Sequence, residues 1–163
     1  MVRLAKLSRV SRVEIGEVVR TADTLAEPDY GAAFEVTVVG AQARSAEEWA
    51  QVTFEDAPPA LRWLVVLGWK TILGLRLGPR RSPDHVLGWR IQSKDPDRIV
   101  LEVSSALLTA HKVVWVDASR LTVATFIRYD RRWARVVWSA VAPVHHRTEP
   151  LLLTYAASRP LRR

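Results

Sequence analysis

Two of the four histidines lie in segments where an imidazole could act on a ligand. His111 lies in a run of strand-like residues, and His145 lies in a long helical segment near the C-terminus. An imidazole can hydrogen-bond to a polar group or transfer a proton near neutral pH. If both rings point into one apolar interior, they form a polar spot where a ligand could bind or react. The structural alternative is a core histidine bonded to a backbone carbonyl or to Thr125.

Other chemistry has little support in the sequence. His145 and Glu149 have the spacing of a helical metal pair, but Pro150 disturbs the helix beside them and no third ligand is suitably spaced. The chain has no cysteine, which excludes disulfides and thiolate sites. A G-x-S-x-G elbow and a phosphate-binding loop are also absent from the sequence. We expect no metal and no cofactor, and only His111 and His145 remain as weak catalytic candidates.

Seven tryptophans supply a large apolar area, and each indole carries one donor that needs a partner. Core packing accounts for most of them. Trp89, in the middle of a predicted strand, and Trp138, on the helix opposite, are the two that we expect to contact a ligand. The predicted ligand-binding residues are Trp89, His111, Thr125, Trp138 and His145.

Alternating residues and turn residues predict the elements that position these side chains. A first strand is predicted at 33–39, and four more lie between 85 and 129. Asp95-Pro96-Asp97 has the composition of a tight turn between two of them. A further strand is expected within 12–19, where Val13, Ile15 and Glu17 alternate with other residues.

The direction of the side chains in the strand 109–116 is ambiguous. If Lys112 points to solvent, then His111, Val113 and Trp115 point inward. A two-residue turn at Ala118-Ser119 would instead turn the even positions inward. We favour the orientation with His111 inward.

Three helices are predicted. Ser45 and Glu48 form a capping box, and a second helix begins at Asp56 and Pro58-Pro59 and runs to about Leu77. The second helix is apolar almost all round, but its apolar run is far shorter than the ~20 residues that a bilayer requires.

The third helix is long and begins at Asp130 as its N-cap. Pro143 and Pro150 project from nearly the same side and would bend the helix, or would divide it into two. His145 continues the line of Ala134, Trp138 and Val141 toward the sheet. A separate apolar stripe comprises Trp133, Val137, Ala140, Val144, Leu151, Leu152 and Tyr155.

This order of elements resembles the helix-grip superfamily of START-like and polyketide cyclase-like proteins over residues 30–158. The resemblance is closer to an uncharacterised actinobacterial family placed near that superfamily, through Ser82-Pro83-Asp84-His85-Val86-Leu87-Gly88-Trp89-Arg90, Leu107-Leu108-Thr109-Ala110-His111, Phe126-Ile127-Arg128-Tyr129-Asp130 and Val144-His145-His146-Arg147 followed by Pro150-Leu151-Leu152. The resemblance implies an α+β helix-grip fold, in which a curved antiparallel sheet wraps around a long C-terminal helix and two shorter helices follow the first strand. It also implies an apolar cavity between sheet and helix that holds hydrophobic molecules.

Composition favours one domain. The 163 residues are 48% hydrophobic and 25% charged, which suits a single globular unit, and we expect flexibility only at residues 1–12 and 159–163. No signal peptide is visible, so a cytoplasmic protein is expected. The net charge of +7 includes the clusters Arg80-Arg81 and Arg131-Arg132-Arg135. Solvated arginines explain this charge better than a nucleic-acid partner, because no nucleic-acid-binding motif accompanies it.

We therefore expect a binding module for a hydrophobic molecule such as a lipid, polyketide or isoprenoid, held in a cavity of several hundred Å³ between sheet and helix. The first alternative is a cyclase or hydratase that uses the same pocket with a histidine as proton donor. The second is a basic adaptor at a membrane surface or on nucleic acid. The oligomeric state does not follow from the sequence.

Overall fold

The computed structural model of the chain describes residues 9–161, and predictions for residues 1–8 and 162–163 lie outside this range. The described chain is α+β, as the sequence predicts. Its strands are β1 (Ser11–Val13), β2 (Tyr30–Thr37), β3 (Arg81–Ser82), β4 (His85–Val86), β5 (Trp89–Asp95), β6 (Arg98–Ser104), β7 (Leu108–Val116) and β8 (Arg120–Tyr129). Its α-helices are α1 (Glu17–Ala22), α2 (Ala46–Ala50), α3 (Pro59–Thr71) and α4 (Ala134–Ser158).

All eight strands within the described range form one antiparallel sheet in the order β1-β2-β8-β7-β6-β5-β4-β3. The curved sheet and the long α4 confirm the predicted helix-grip architecture. The pairing of β2 with β8 joins the first long strand to the last, so the centre of the sheet brings together distant parts of the chain.

Both faces of the sheet are covered. The main core lies between one face and the helices α2 and α4, with Leu108, Ala110 and Val114 of β7 pointing into it. On the opposite face, Val113 of β7 packs in a smaller core with α1 and the residues beside it. Because side chains alternate along a strand, β2, β6, β7 and β8 each contribute to both cores.

The structure confirms the predicted capping box and the predicted tight turn, both of which depend on residues close together in the chain. Ser45 accepts a hydrogen bond from the backbone N–H of Glu48, and the Glu48 carboxylate accepts from the N–H of Ser45. A π-helical turn over Gln51–Glu55 then follows α2. The turn predicted at Asp95-Pro96-Asp97 joins β5 to β6, and Asp95 pairs with Arg98.

Several element boundaries differ from the prediction. The expected strand across 85–92 is interrupted at Leu87 and Gly88, which both have positive φ, 45° and 85°. Val86 pairs with Trp89 across this two-residue turn, the hairpin geometry that needs two left-handed residues. α3 ends at Thr71 rather than near Leu77, because the chain turns at Gly74 with φ 62°.

At the N-terminal side, the additional strand covers only Ser11–Val13, and the residues from Glu17 onward form α1 instead of continuing it. Ser11 and Arg12, at the end of the segment expected to be flexible, pair with β2 in this strand.

α4 runs through Pro143 and Pro150 as one helix of 25 residues, so division into two helices is wrong. Asp130 is not its N-cap, because its carboxylate accepts from the Thr109 hydroxyl and from Arg128 Nε instead. The residue at the N-cap position is Trp133. The predicted apolar stripe is also partly wrong, because Trp133, Ala140, Val144 and Leu151 are exposed. The fully buried residues of α4 are Ala134, Trp138, Glu149, Leu152, Leu153 and Ala156.

Candidate functional site

An apolar groove of about 340 Å³ lies between α3 and α4. Both helices present mostly aliphatic and aromatic side chains to it. From α3 and the turn after it come Leu64, Val65, Leu67, Gly68, Trp69, Thr71, Ile72 and Leu73, and from α4 come Trp138, Ala140, Val141, Val144, His145 and Thr148.

A small chamber of about 20 Å³ lies deeper, between the sheet and α4. Its wall contains polar side chains among apolar ones: Trp69, Leu73, Leu75, Trp89, Leu108, Ala110, Lys112, Thr125, Ile127, Trp138 and His145. The expectation of a cavity of several hundred Å³ between sheet and helix is therefore wrong. Large side chains such as Trp89 and Trp138 fill that interface, and the larger open volume lies between the two helices.

Lys112 lines the chamber and makes a buried ion pair with α4. Its Nζ donates to Glu149 Oε1 at 2.9 Å and Oε2 at 3.0 Å, and to the Thr125 hydroxyl at 2.9 Å. The Lys112 and Glu149 side chains are only 3% and 4% exposed. The ammonium also lies 5.7 Å from the centre of the Trp89 ring, within cation–π range. These contacts compensate the burial of both charges.

His111 lies on the opposite face of the sheet, so the preferred inward orientation of this residue is wrong. β7 pairs Lys112 with Thr125 and His111 with Phe126, the register that follows from the two-residue turn at Ala118-Ser119. His111 Nδ1 is 2.7 Å from Asp23 Oδ1, beside α1. This contact holds a buried imidazole against a buried carboxylate outside the chamber. His111 and His145 therefore cannot act on the same ligand.

His145 does point toward the sheet, as its position beside the line of Trp138 predicts. Its side chain is 11% exposed, and its ring lies 5.4 Å from that of Trp138 and 6.3 Å from that of Phe34, centre to centre. Burial lowers the pKa of His145 to about 4, although nearby Glu149 acts in the opposite direction. The imidazole is therefore neutral near neutral pH, which disfavours it as a proton donor.

The neighbouring His146 is partly buried. Its Nε2 shares a hydrogen bond with the Tyr30 hydroxyl of β2. Burial raises the pKa of Tyr30 to about 12 and lowers that of His146. This contact fastens the middle of α4 to the edge of the sheet nearest β1.

Of the five predicted site residues, the fold brings four to the chamber: Trp89, Thr125, Trp138 and His145. Sequence reasoning missed Lys112, Glu149 and Trp69. A signal for Lys112 was present, because it interrupts the otherwise apolar inward set of Leu108, Ala110 and Val114. A lysine that points into an apolar core needs a buried carboxylate as its partner. The sequence analysis considers Glu149 only together with His145, as a metal pair.

Neither a metal-binding cluster nor a membrane-spanning helix occurs within residues 9–161. Nowhere in this range do three or more histidine, aspartate or glutamate side chains gather closely enough to hold a metal ion. Likewise, the helices described here are too short or too polar to cross a bilayer.

Comparisons with known proteins give a family but no activity. No curated protein and no solved structure is significantly similar to this chain. A family model described as "Protein of unknown function (DUF2867)" matches residues 24–149. The matched range ends at Glu149 on α4 and includes all the residues that line the chamber. Because the match covers most of the chain, the chain belongs to the DUF2867 family.

Proposed function

We propose that this protein binds a hydrophobic small molecule, of the lipid, polyketide or isoprenoid kind, in the groove between α3 and α4. The observation that carries the proposal is the groove itself. Its volume of about 340 Å³ is within the range of small-molecule sites, which are mostly apolar with few polar groups. The site differs from the expected one in position, because it opens between two helices.

The side chains around the groove favour an apolar occupant. Leu64, Leu67 and Ile72 of the α3 side are 48%, 39% and 56% exposed, and Val144 of α4 is 53% exposed. Apolar side chains that face each other across an open groove gain free energy when a ligand removes their surface from water. A hydrophobic molecule between the helices would provide that cover.

α3 is weakly anchored, which would give a ligand access. Within the described part of the chain, none of its residues is fully buried, whereas α2 buries Ala46, Trp49 and Ala50. Elements with few buried apolar contacts open at low free-energy cost. Movement of α3 would widen the groove without disturbing the sheet or the Lys112–Glu149 pair.

The resemblance to START-like and polyketide cyclase-like proteins supports the same function, because those proteins hold hydrophobic molecules next to the C-terminal helix. We also propose that the protein is cytoplasmic. The cyclase or hydratase alternative retains only His145, and its lowered pKa makes that alternative the weaker one.

The test uses the fluorescent probe N-phenyl-1-naphthylamine, which is neutral and brightens in apolar surroundings. Gly68 lines the groove, and a Cβ atom added there meets no atom within 4 Å. We expect Gly68→Phe to fill the groove and to prevent probe binding, whereas Gly68→Ala should retain it. Both changes replace a helical glycine and should not weaken α3. Equal probe binding by the wild type and Gly68→Phe would refute the proposal.

A second candidate function is contact with an anionic membrane surface. Outside the groove, α3 exposes Trp63 to 66%, together with the basic residue Lys70. An amphipathic helix of this kind, on a chain of net charge +7, would bind negatively charged lipids through apolar insertion and charge attraction. Co-sedimentation with vesicles of phosphatidylcholine and phosphatidylglycerol tests this, with Trp63→Ser expected to weaken binding. Equal sedimentation of the two proteins would contradict membrane contact through α3.

A further inference from the structure

Residues that line the chamber below the groove carry hydrogen-bonding groups that the protein does not satisfy. Within the described residues, Trp89 Nε1, Trp138 Nε1 and His145 Nε2 are buried and have no hydrogen-bond partner. Trp89 and Trp138 are only 3% and 4% exposed, and all three residues line the chamber. Buried polar groups are nearly always hydrogen-bonded, so three exceptions around one space require an explanation.

The chamber and the groove share a wall. Trp69, Leu73, Trp138 and His145 line both. The groove holds about 340 Å³ and the chamber about 20 Å³, which is roughly the space that one buried water or one small functional group occupies. A ligand whose apolar body lies in the groove can therefore place only a small terminal group among the three unsatisfied atoms.

We infer that the ligand carries an uncharged oxygen acceptor at one end, a ketone, aldehyde or ester carbonyl, to which the indole N–H groups of Trp89 and Trp138 donate. This inference rests on the proposed binding function and specifies the chemical class of the ligand. Two donors match the two lone pairs of one carbonyl oxygen. A pure hydrocarbon would leave both indole N–H groups unsatisfied.

The charges around the chamber select a neutral group over a carboxylate. Lys112 is already neutralised by both carboxylate oxygens of Glu149, and Thr125 supplies no charge. His145 is neutral near neutral pH, because burial lowers its pKa to about 4. A second carboxylate would be buried beside Glu149 without a cation of its own, which is strongly unfavourable.

The experiment compares three eleven-carbon compounds as competitors of bound N-phenyl-1-naphthylamine: methyl nonyl ketone, undecane and undecanoate. Trp89→Phe and Trp138→Phe remove one N–H each and keep an aromatic ring. Because Trp138 also lines the groove, the quantity compared is each variant's affinity for the ketone relative to its affinity for undecane. Each change should lower this ratio by about threefold to tenfold, as expected for one neutral hydrogen bond. Trp63→Phe, at an exposed position, is the control and should change none of the affinities.

A measurement on the wild-type protein avoids dependence on variant folding. In the nitrogen-15 correlation spectrum of the seven indole N–H groups, methyl nonyl ketone should shift the Trp89 and Trp138 signals downfield and undecane should not. Unshifted indole signals, equal weakening of ketone and undecane, or a preference for undecanoate would each overturn the inference. In those cases probe binding that Gly68→Phe blocks would leave the proposed function standing. Absence of probe binding by the wild type would overturn both.

Discussion

Lys112 in the middle of β7 donates to both carboxylate oxygens of Glu149 in α4, at 2.9 and 3.0 Å. This pair joins the sheet to the long helix beside the chamber. It also fixes which face of β7 points inward, because a buried lysine is tolerated only opposite its carboxylate.

Removing one member of this pair should cost much more stability than removing both. Lys112→Met or Glu149→Met alone should lower the free energy of unfolding by about 3–5 kcal/mol, since an uncompensated charge stays buried. The double variant Lys112→Met with Glu149→Met should recover a large part of that loss. Urea denaturation of the four proteins provides the measurement. Losses that simply add would show that the two residues do not interact.

His145 should make the protein less stable in acid. Its pKa is lowered from 6.5 to about 4 by burial, so between these pH values the unfolded chain binds a proton that the folded chain does not. Stability must therefore fall as the pH drops from 6.5 to 4, by up to about 3 kcal/mol at 1.36 kcal/mol per pKa unit. In His145→Gln this contribution should disappear. The check is urea denaturation at several pH values, and identical pH profiles for wild type and variant would contradict it.

The two histidines should respond differently because the sheet separates them. His111→Gln disturbs the contact with Asp23 and should reduce stability while leaving N-phenyl-1-naphthylamine affinity unchanged. His145→Gln changes the wall of the groove and should alter that affinity. Fluorescence titration of each folded variant tests the distinction. Comparable loss of affinity in both would mean that His111 communicates with the groove.

The hairpin turn before β5 should depend on glycine at position 88. Gly88 has φ 85°, and an added Cβ would lie 2.9 Å from the Cβ of Leu77 and 3.2 Å from the carbonyl oxygen of Gly78. Gly88→Ala should therefore destabilise the protein by about 1–3 kcal/mol through backbone strain, apart from the clash. Gly68→Ala is the matched control and should stabilise α3 by up to about 1 kcal/mol. Thermal unfolding followed by circular dichroism compares them, and an unchanged midpoint for Gly88→Ala would be the contrary result.

The sequence by itself determined the long central strands, the long C-terminal helix and the general architecture. The capping box at Ser45 and Glu48, the turn around Pro96 and the alternation in the last three strands depend on groups close together in the chain, so their geometry follows from local chemistry. The direction of Trp138 and His145 toward the sheet followed from helical periodicity in the same way.

Only the tertiary structure decided which residues form the site. The inward position of Lys112 depends on the register of β7 with β8 and on Glu149, which is 37 residues away in the chain. The sequence interpretation placed Lys112 outside because an isolated buried ammonium is costly, and it therefore placed His111 inside. The open volume likewise lies between α3 and α4 because Trp89 and Trp138 fill the space below. The position of Lys112 and the position of the groove both depend on contacts between segments that are distant in the chain. A local sequence pattern cannot predict them, because it does not show which distant segments will pack together.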